Sequence, residues 1–431
     1  MTTTAPITTT GPMTTREQSR RLMDRWWREL TEADERGTPV ANVFVMGSLA
    51  EILRSFDIPM SFPEIAALQA AIRHQSQEHL LTAEDYGYSP DICGYVKVDV
   101  GMHLSGRDHP AGKLPKPGLV IAANTCNTYI KWAEFWERMY GCPVFTFDLP
   151  GWRGTGFTEG PAGDSFDADR RYVEGQLREL ITLCEAITGK TFDIDRLRQV
   201  MAEVNRLSDG YQALLALNKN HPAPFDALRE GVVYMGIANA FRGDPGGADF
   251  MELAGAELAG RVAAGEGASP EERFRLIFTG PACYSDFRNF MTLFADWGST
   301  FVHSEYMSYA GGGIDRGIHY ELEHPIESMA EQLLISGQRA FSGIFHSQSW
   351  LAEIAREWSA DGICFHGVKS CRTTSTGLPD ARELLARRED VPGLFIQSDL
   401  VDTRLFQQAQ LKNRVDAFFE SLQSRRDAER R

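Results

Sequence analysis

The sequence contains no Cys-x-x-Cys pair among its seven cysteines. Zinc ribbons, thioredoxin-like redox sites and ferredoxin-type cluster runs are excluded with it, because each needs closely spaced thiols. No stretch approaches the roughly 20 apolar residues that cross a bilayer, so no membrane span is expected. The opening residues, MTTTAPITTTGPMTTREQSRR, lack the apolar core of a secretory signal. Residues 1–15 are expected to be a disordered tail, and the protein cytoplasmic. Positive charge is in short supply: 44 Lys and Arg stand against 59 Asp and Glu, a net charge of −15. Nucleic acid is a poor partner for such a chain, since phosphate neutralisation dominates that binding. A phosphorylated small ligand needs only a local basic pocket and stays open. Gly-x-Ser-x-Gly and His-Glu-x-x-His are absent, which argues against an α/β-hydrolase and a zinc protease. The glycines Gly151, Gly154, Gly156 and Gly160 follow a strand but match neither the dinucleotide nor the Walker A spacing.

What is present is an ordinary globular composition, 43% hydrophobic and 24% charged over 431 residues, enough for two or three domains. Residues 16–85 read as an N-terminal helical segment, in which EQSRRLMDRWWRELTEADERG has apolar residues at helical spacing and Gly37 as its stop. Strand–helix–strand signals then begin. GLVIAANTC, NTYIKWAEFWERMYG and CPVFTFDLPG form one βαβ unit, which predicts a parallel sheet. Two long amphipathic stretches between about 165 and 220 read as an inserted helical hairpin. The polar, glycine-rich AAGEGASPEE marks a boundary. Beyond it FRLIFTGPAC, STFVHSEYMS, ICFHGVKSC and VPGLFIQSD alternate with helices. The expected architecture is α/β, with two Rossmann-like parallel-sheet lobes at 86–262 and 263–431.

Ligands of open parallel sheets bind at the carboxyl ends of the strands. That rule sorts the cysteines. Cys126 and Cys371 end strands just before helices, Cys283 lies at the same kind of edge, and Cys93 can reach it from a loop. Cys142 begins a strand, Cys364 sits inside one and Cys184 lies on an apolar helix face, so these three read as small buried residues. His366 reads as packing. Asp399 and Asp402 could bind a metal or cap the next helix, and capping is the simpler reading.

Six segments, in order, carry a resemblance to a known family. They are GSLAEILRSFDIPMSFPE, SPDICGYVKVDVG, NTCNTYIKWAEFWERMYGCPVFTFDLP, YMGIANAFRG, ADGICFHGVKSCRTTSTG and SDLVDTRLFQQAQLKNRVDAFFE. Across nearly its whole length the chain resembles the 2-hydroxyacyl-CoA dehydratase and benzoyl-CoA reductase family, on the side of the ATP-dependent ring reductases. The resemblance implies one [4Fe-4S] cluster held by Cys93, Cys126 and Cys371, with Cys283 and Cys364 structural. It implies an acyl-CoA substrate, a homologous catalytic subunit as partner, and separate ATP-hydrolysing iron–sulfur activator subunits. Glu51 and Ser48 fall in a segment that could contact substrate; the alternative is a helix cap at Ser48 beside a solvated Glu51. The implied reaction is reduction of benzoyl-CoA or a close relative to a cyclic dienoyl-CoA. Dehydration of a 2-hydroxyacyl-CoA through a ketyl radical, an electron-relay or scaffold role in a pair with an active homologue, and a metal-free α/β binding protein are the competing readings.

Overall fold

Thr14 and Glu17 start the first helix by capping each other: the Thr14 hydroxyl accepts the Glu17 amide, and the Glu17 carboxylate accepts the Thr14 amide. The helix, Thr15–Arg36, turns Leu22, Trp26, Trp27, Leu30 and Ala33 inward and ends at Gly37 in the left-handed conformation. This computed structural model describes residues 13–151, 164–310, 318–340 and 344–431. Most of the expected tail, the glycine loop from 152 to 163 and the AGGGIDRG glycines lie outside the described residues.

Among the described residues ten strands follow: β1 (Val40–Asn42), β2 (Met60–Ser61), β3 (Asp108–His109), β4 (Gly112–Lys113), β5 (Pro117–Ala123), β6 (Val144–Phe147), β7 (Phe274–Thr279), β8 (Ser299–Ser304), β9 (Gly362–Val368) and β10 (Gly393–Ser398). Two sheets of four parallel strands carry the fold, ordered β2-β1-β5-β6 and β10-β9-β7-β8; β3 and β4 form a small antiparallel pair. Read from the β8 edge, the second sheet has the same order as the first. In each, the second strand lies to one side of the first and the later two to the other. The order therefore reverses between β1 and β5 in one sheet and between β7 and β9 in the other. These are the positions where open sheets present a crevice to ligands.

The long apolar runs of β5, β7 and β9 are buried almost throughout, as expected of strands covered on both faces. One apolar core runs through both lobes, and a second lies under the helices Ile344–Glu357 and Leu378–Arg388. The segment 16–85 is not helix alone: it contributes β1 and β2 to the first sheet. Two and three residues are too few to show a strand period in sequence. The stretch beginning at Pro63 also breaks into two helices, Pro63–Ile72 and Ser76–Tyr86, at a turn in which His74 has φ 59°. The helices Asp164–Thr188 and Ile194–Leu217 follow each other in the chain, but the first packs chiefly on Pro325–Ala340 and the second on Pro245–Ala264. Among the described residues no helix is long and apolar enough to cross a membrane.

The helix Gly94–Leu104 lies across Ser76–Tyr86 at a close approach that only glycine permits. A Cβ at Gly101 would overlap the backbone of His79. Alanine is otherwise the better helix former by about 1 kcal/mol, but rigid backbone cannot yield, and overpacking costs about 1–3 kcal/mol or more. Gly101→Ala is therefore expected to lower the thermal unfolding midpoint. A midpoint equal to or above wild type would contradict this packing.

Candidate functional site

Cys126 follows β5 and caps the helix Asn127–Tyr140, while Cys371 follows β9 and caps the short helix Arg372–Ser375. Each sits at the point where its sheet reverses strand order. Cys93 caps the helix Gly94–Leu104 and comes to the same place from the loop before it. All three are half-buried and free of disulfides. They lie close enough to act on one another electrostatically. Burial pushes the Cys93 thiol up, Cys371 and Cys126 add to that, and the amides of Val96 and Tyr95 oppose it. Burial also raises Cys371, against the hydroxyl and amide of Thr374, and Cys126 raises it further. The Thr374 hydroxyl donates to the Cys371 sulfur at 3.2 Å, and Thr373 Oγ1 stands 3.6 Å from Cys126 Sγ, across the two lobes. Helix N-termini thus stand at Cys93 and Cys371, and their amides offset part of what burial costs a thiolate.

One junction holds these elements in register. The Gly94 amide donates to Ser370 Oγ at 3.1 Å, so the residue after Cys93 is tied to the residue before Cys371. Ser370 in turn donates its amide to Asp399 at 3.0 Å, and the same carboxylate accepts the amides of Val401 and Asp402. Asp402 caps the turn Thr403–Leu405, as the sequence predicts. A Cβ at Gly94 would come within 2.5 Å of Val401 Cγ2 and 3.1 Å of Asp399 Oδ1.

The remaining cysteines are elsewhere or buried apart. Cys283 shares the sheet-edge position but is fully buried beside Ser285, and burial pushes its thiol to about 11. Cys142, Cys184 and Cys364 are buried in the core. His366 is a buried spacer: its ring nitrogens meet the Pro281 carbonyl at 2.6 Å and Ser398 Oγ at 2.7 Å, and burial holds it down to about 4. Among the described residues no three His, Cys, Asp or Glu side chains close around a point as they would for a single metal ion.

Glu51 and Ser48 are both buried, Glu51 at 2% exposure. Neither half of the capping alternative describes them. The helix Ala50–Ser55 begins at Leu49 without a side-chain cap, and the Glu51 carboxylate is not solvated. It accepts from Arg242 Nε at 2.6 Å and from the Tyr320 hydroxyl at 2.8 Å. Burial pushes this carboxyl up, but the Arg242 charge and hydrogen bond, with Tyr320, outweigh it and hold the group below its ordinary value.

A second carboxyl is linked to the cysteines through two tyrosines, and the sequence reading does not single it out. Glu64, at the start of Pro63–Ile72, is buried and accepts the Val45 amide at 2.8 Å and the Tyr129 hydroxyl at 2.7 Å. Burial pushes it up to about 7 against those two bonds. Around it stand Tyr95, Tyr129 and Tyr306, each raised by burial first. Glu64 acts electrostatically on all three, Cys126 on Tyr129 and Cys371 on Tyr306. The Tyr95 hydroxyl faces Tyr306. Glu64 and Tyr306 also line a mainly apolar cavity of about 230 Å³, together with Val45, Ile65, Leu68, Met235 and Gly236. Its lining includes the exposed residues Arg20, Ile72 and Val233, which mark the side open to solvent.

Two measurements test this geometry. Glu51→Ala leaves Arg242 buried without its carboxylate, and is expected to cost about 3–5 kcal/mol of stability; denaturant unfolding showing less than about 1 kcal/mol would refute the ion pair. Glu64 binds its proton more tightly folded than unfolded, so its contribution is present at low pH and is lost as pH rises toward about 7. Between pH 5 and 7 wild type should lose up to about 1.4 kcal/mol per pH unit more than Glu64→Gln. Superimposable pH profiles would remove the raised carboxyl.

The sequence profile described as "2-hydroxyglutaryl-CoA dehydratase, D-component" matches residues 48–422. A benzoyl-CoA reductase chain of Thauera aromatica is 33% identical over 407 residues, which span 92% of both chains. The (R)-phenyllactyl-CoA dehydratase alpha subunit of Clostridium sporogenes is 26% identical over 92% of this chain and 93% of its own. The (R)-2-hydroxyglutaryl-CoA dehydratase alpha chain of Acidaminococcus fermentans is 22% identical over 94% and 96%. With three thiols gathered at the switch points of two like sheets, and likeness along nearly the whole chain, the protein belongs to the 2-hydroxyacyl-CoA dehydratase and benzoyl-CoA reductase family.

Proposed function

We propose that this chain is the iron–sulfur catalytic subunit of an ATP-dependent aromatic acyl-CoA reductase, taking benzoyl-CoA or a close relative to a cyclic dienoyl-CoA with two electrons and two protons. The observation that carries the reading is the convergence of Cys93, Cys126 and Cys371, joined through Tyr306 to Glu64 and an apolar cavity. The donor set fits a [4Fe-4S] cluster: three free thiols, each at a helix N-terminus, drawn from both lobes. Burial and mutual repulsion disfavour thiolate here, and electropositive iron is what would stabilise it. Cys93, Cys126 and Cys371 would hold such a cluster, which when bound would supply low-potential single electrons.

The chain's own residues account for the rest. The apolar walls exclude water from the acyl group, which matters for a reaction through a strongly reducing radical anion. Glu64 has a proton to give near neutral pH, and Tyr129, which donates to it, keeps its own proton throughout that range. Arg20, exposed on the open side, is a suitable contact for the phosphates of coenzyme A. A second reading is dehydration of a 2-hydroxyacyl-CoA, favoured by the dehydratase alpha subunits that align over the same span. ATP use separates the two: reduction consumes ATP with every turnover, whereas dehydration recycles its electron. Both readings require a homologous subunit and an ATP-hydrolysing electron donor as partners.

Anaerobic purification followed by iron and sulfide analysis tests the proposal. About four of each per chain are expected in wild type and in Cys283→Ala, with loss in Cys93→Ala, Cys126→Ala and Cys371→Ala. A folded, metal-free, air-stable wild type would overturn it.

A further inference from the structure

Resting on that reading, we propose that Gly236 sets the size of acyl group the enzyme accepts, and that it keeps the cavity open to a ring. Gly236 lies in the interior of the helix Gly231–Ala240, where glycine is less stable than alanine. Two ordinary reasons for keeping a helical glycine fail here. Its backbone is not among those with positive φ, and a Cβ built on it meets nothing within 4 Å. Gly231, in the same helix, shows the contrast: a Cβ there would overlap the Met307 side chain, so packing alone explains it. Gly236 is half-buried and lines the same cavity as Glu64 and Tyr306. Gly175, Gly255 and Gly260 also have open space at Cβ, yet none of them lines that cavity.

The space is of the right kind. About 230 Å³ of mainly apolar cavity holds a six-membered ring with some room beside it, since an apolar cavity of about 150 Å³ already takes benzene. Across it stand Ile65 and Leu68, which are buried in the Pro63–Ile72 helix. A branched side chain at position 236 would take up that room, while the thiols, which do not line the cavity, stay in place. The site would then accept a small acyl thioester and reject a ring. The substrate class the geometry selects is an apolar, ring-sized acyl thioester carried into the cavity from its solvent-open side.

The test uses the anaerobically purified holoenzyme complex with its partner subunits. Gly236→Leu is compared with wild type and with Gly255→Leu, a control helix glycine away from the cavity. Binding of benzoyl-CoA and acetyl-CoA is measured by titration calorimetry, and KM and kcat for benzoyl-CoA by turnover. In Gly236→Leu, benzoyl-CoA affinity is expected to fall roughly tenfold or more, while acetyl-CoA affinity, iron content and thermal midpoint hold. Gly255→Leu is expected to match wild type in both affinities. An unchanged benzoyl-to-acetyl ratio in Gly236→Leu, in a complex that still turns over benzoyl-CoA, would overturn the role of Gly236 alone. A wild-type complex with its iron that binds neither thioester would overturn the functional reading itself, and this inference with it.

Discussion

The site depends on the hydrogen bond from the Gly94 amide to Ser370 and the Asp399 carboxylate behind it. Each partner is buried, so leaving any one unmatched would cost on the order of 1–3 kcal/mol. The bond fixes Cys93 against Cys371 although they lie in different lobes. It works only because position 94 has no side chain to collide with Val401 and Asp399. Other contacts reinforce the same seam. Ser76 donates to the Val401 carbonyl at 2.7 Å, and Arg404 pairs with Glu84 as well as Asp402. Lys97, itself buried, ties Glu84 to the Pro90 carbonyl in the loop before Cys93. The lobes are thus locked where the thiols meet.

That locking answers an electrostatic difficulty. Cys93, Cys371, Glu64 and three tyrosines stand together, and burial disfavours a negative charge on every one of them. Helix amides and the Thr374 hydroxyl offset part of that at the sulfurs. At Glu51 a backbone amide and the Tyr320 hydroxyl act in the same way, but the full cation of Arg242 contributes most. The two buried carboxyls consequently behave in opposite ways. Glu51 is held as an anion by Arg242, and Glu64 keeps a proton close to neutral pH. Two acids close together in the chain therefore behave differently, one paired with a cation far along the sequence and the other bonded to the Val45 amide and the Tyr129 hydroxyl.

Much of the fold is legible in the sequence, because β5, β7, β9 and β10 are apolar runs between helices of clear period. The strands β1 and β2 are not, since three and two residues carry no period. The edge rule picks out Cys126 and Cys371 from local signals alone. It cannot separate Cys283, whose loop turns the thiol into the core beside Ser285. Glu64 leaves no distinct signal: an acidic residue after a helix-starting proline is what favourable helix electrostatics alone would predict. Its partners Val45 and Tyr129 come from other elements, as does Arg242 for Glu51, 191 positions away. Only the fold makes such pairs.

The carboxylate of Asp399 has a consequence for how the protein is made. Chains emerge from the ribosome with their N-terminal parts free to fold first. Cys93 and Cys126 leave early, yet the contacts that fix Cys93 opposite Cys371 need Ser370, Asp399 and Val401. Until synthesis has passed that point, two thiols wait in a half-formed crevice, open to oxidants and to stray metals. Assembly of the site is in this sense a late event, since the thiols come into register only once the last strand is in place.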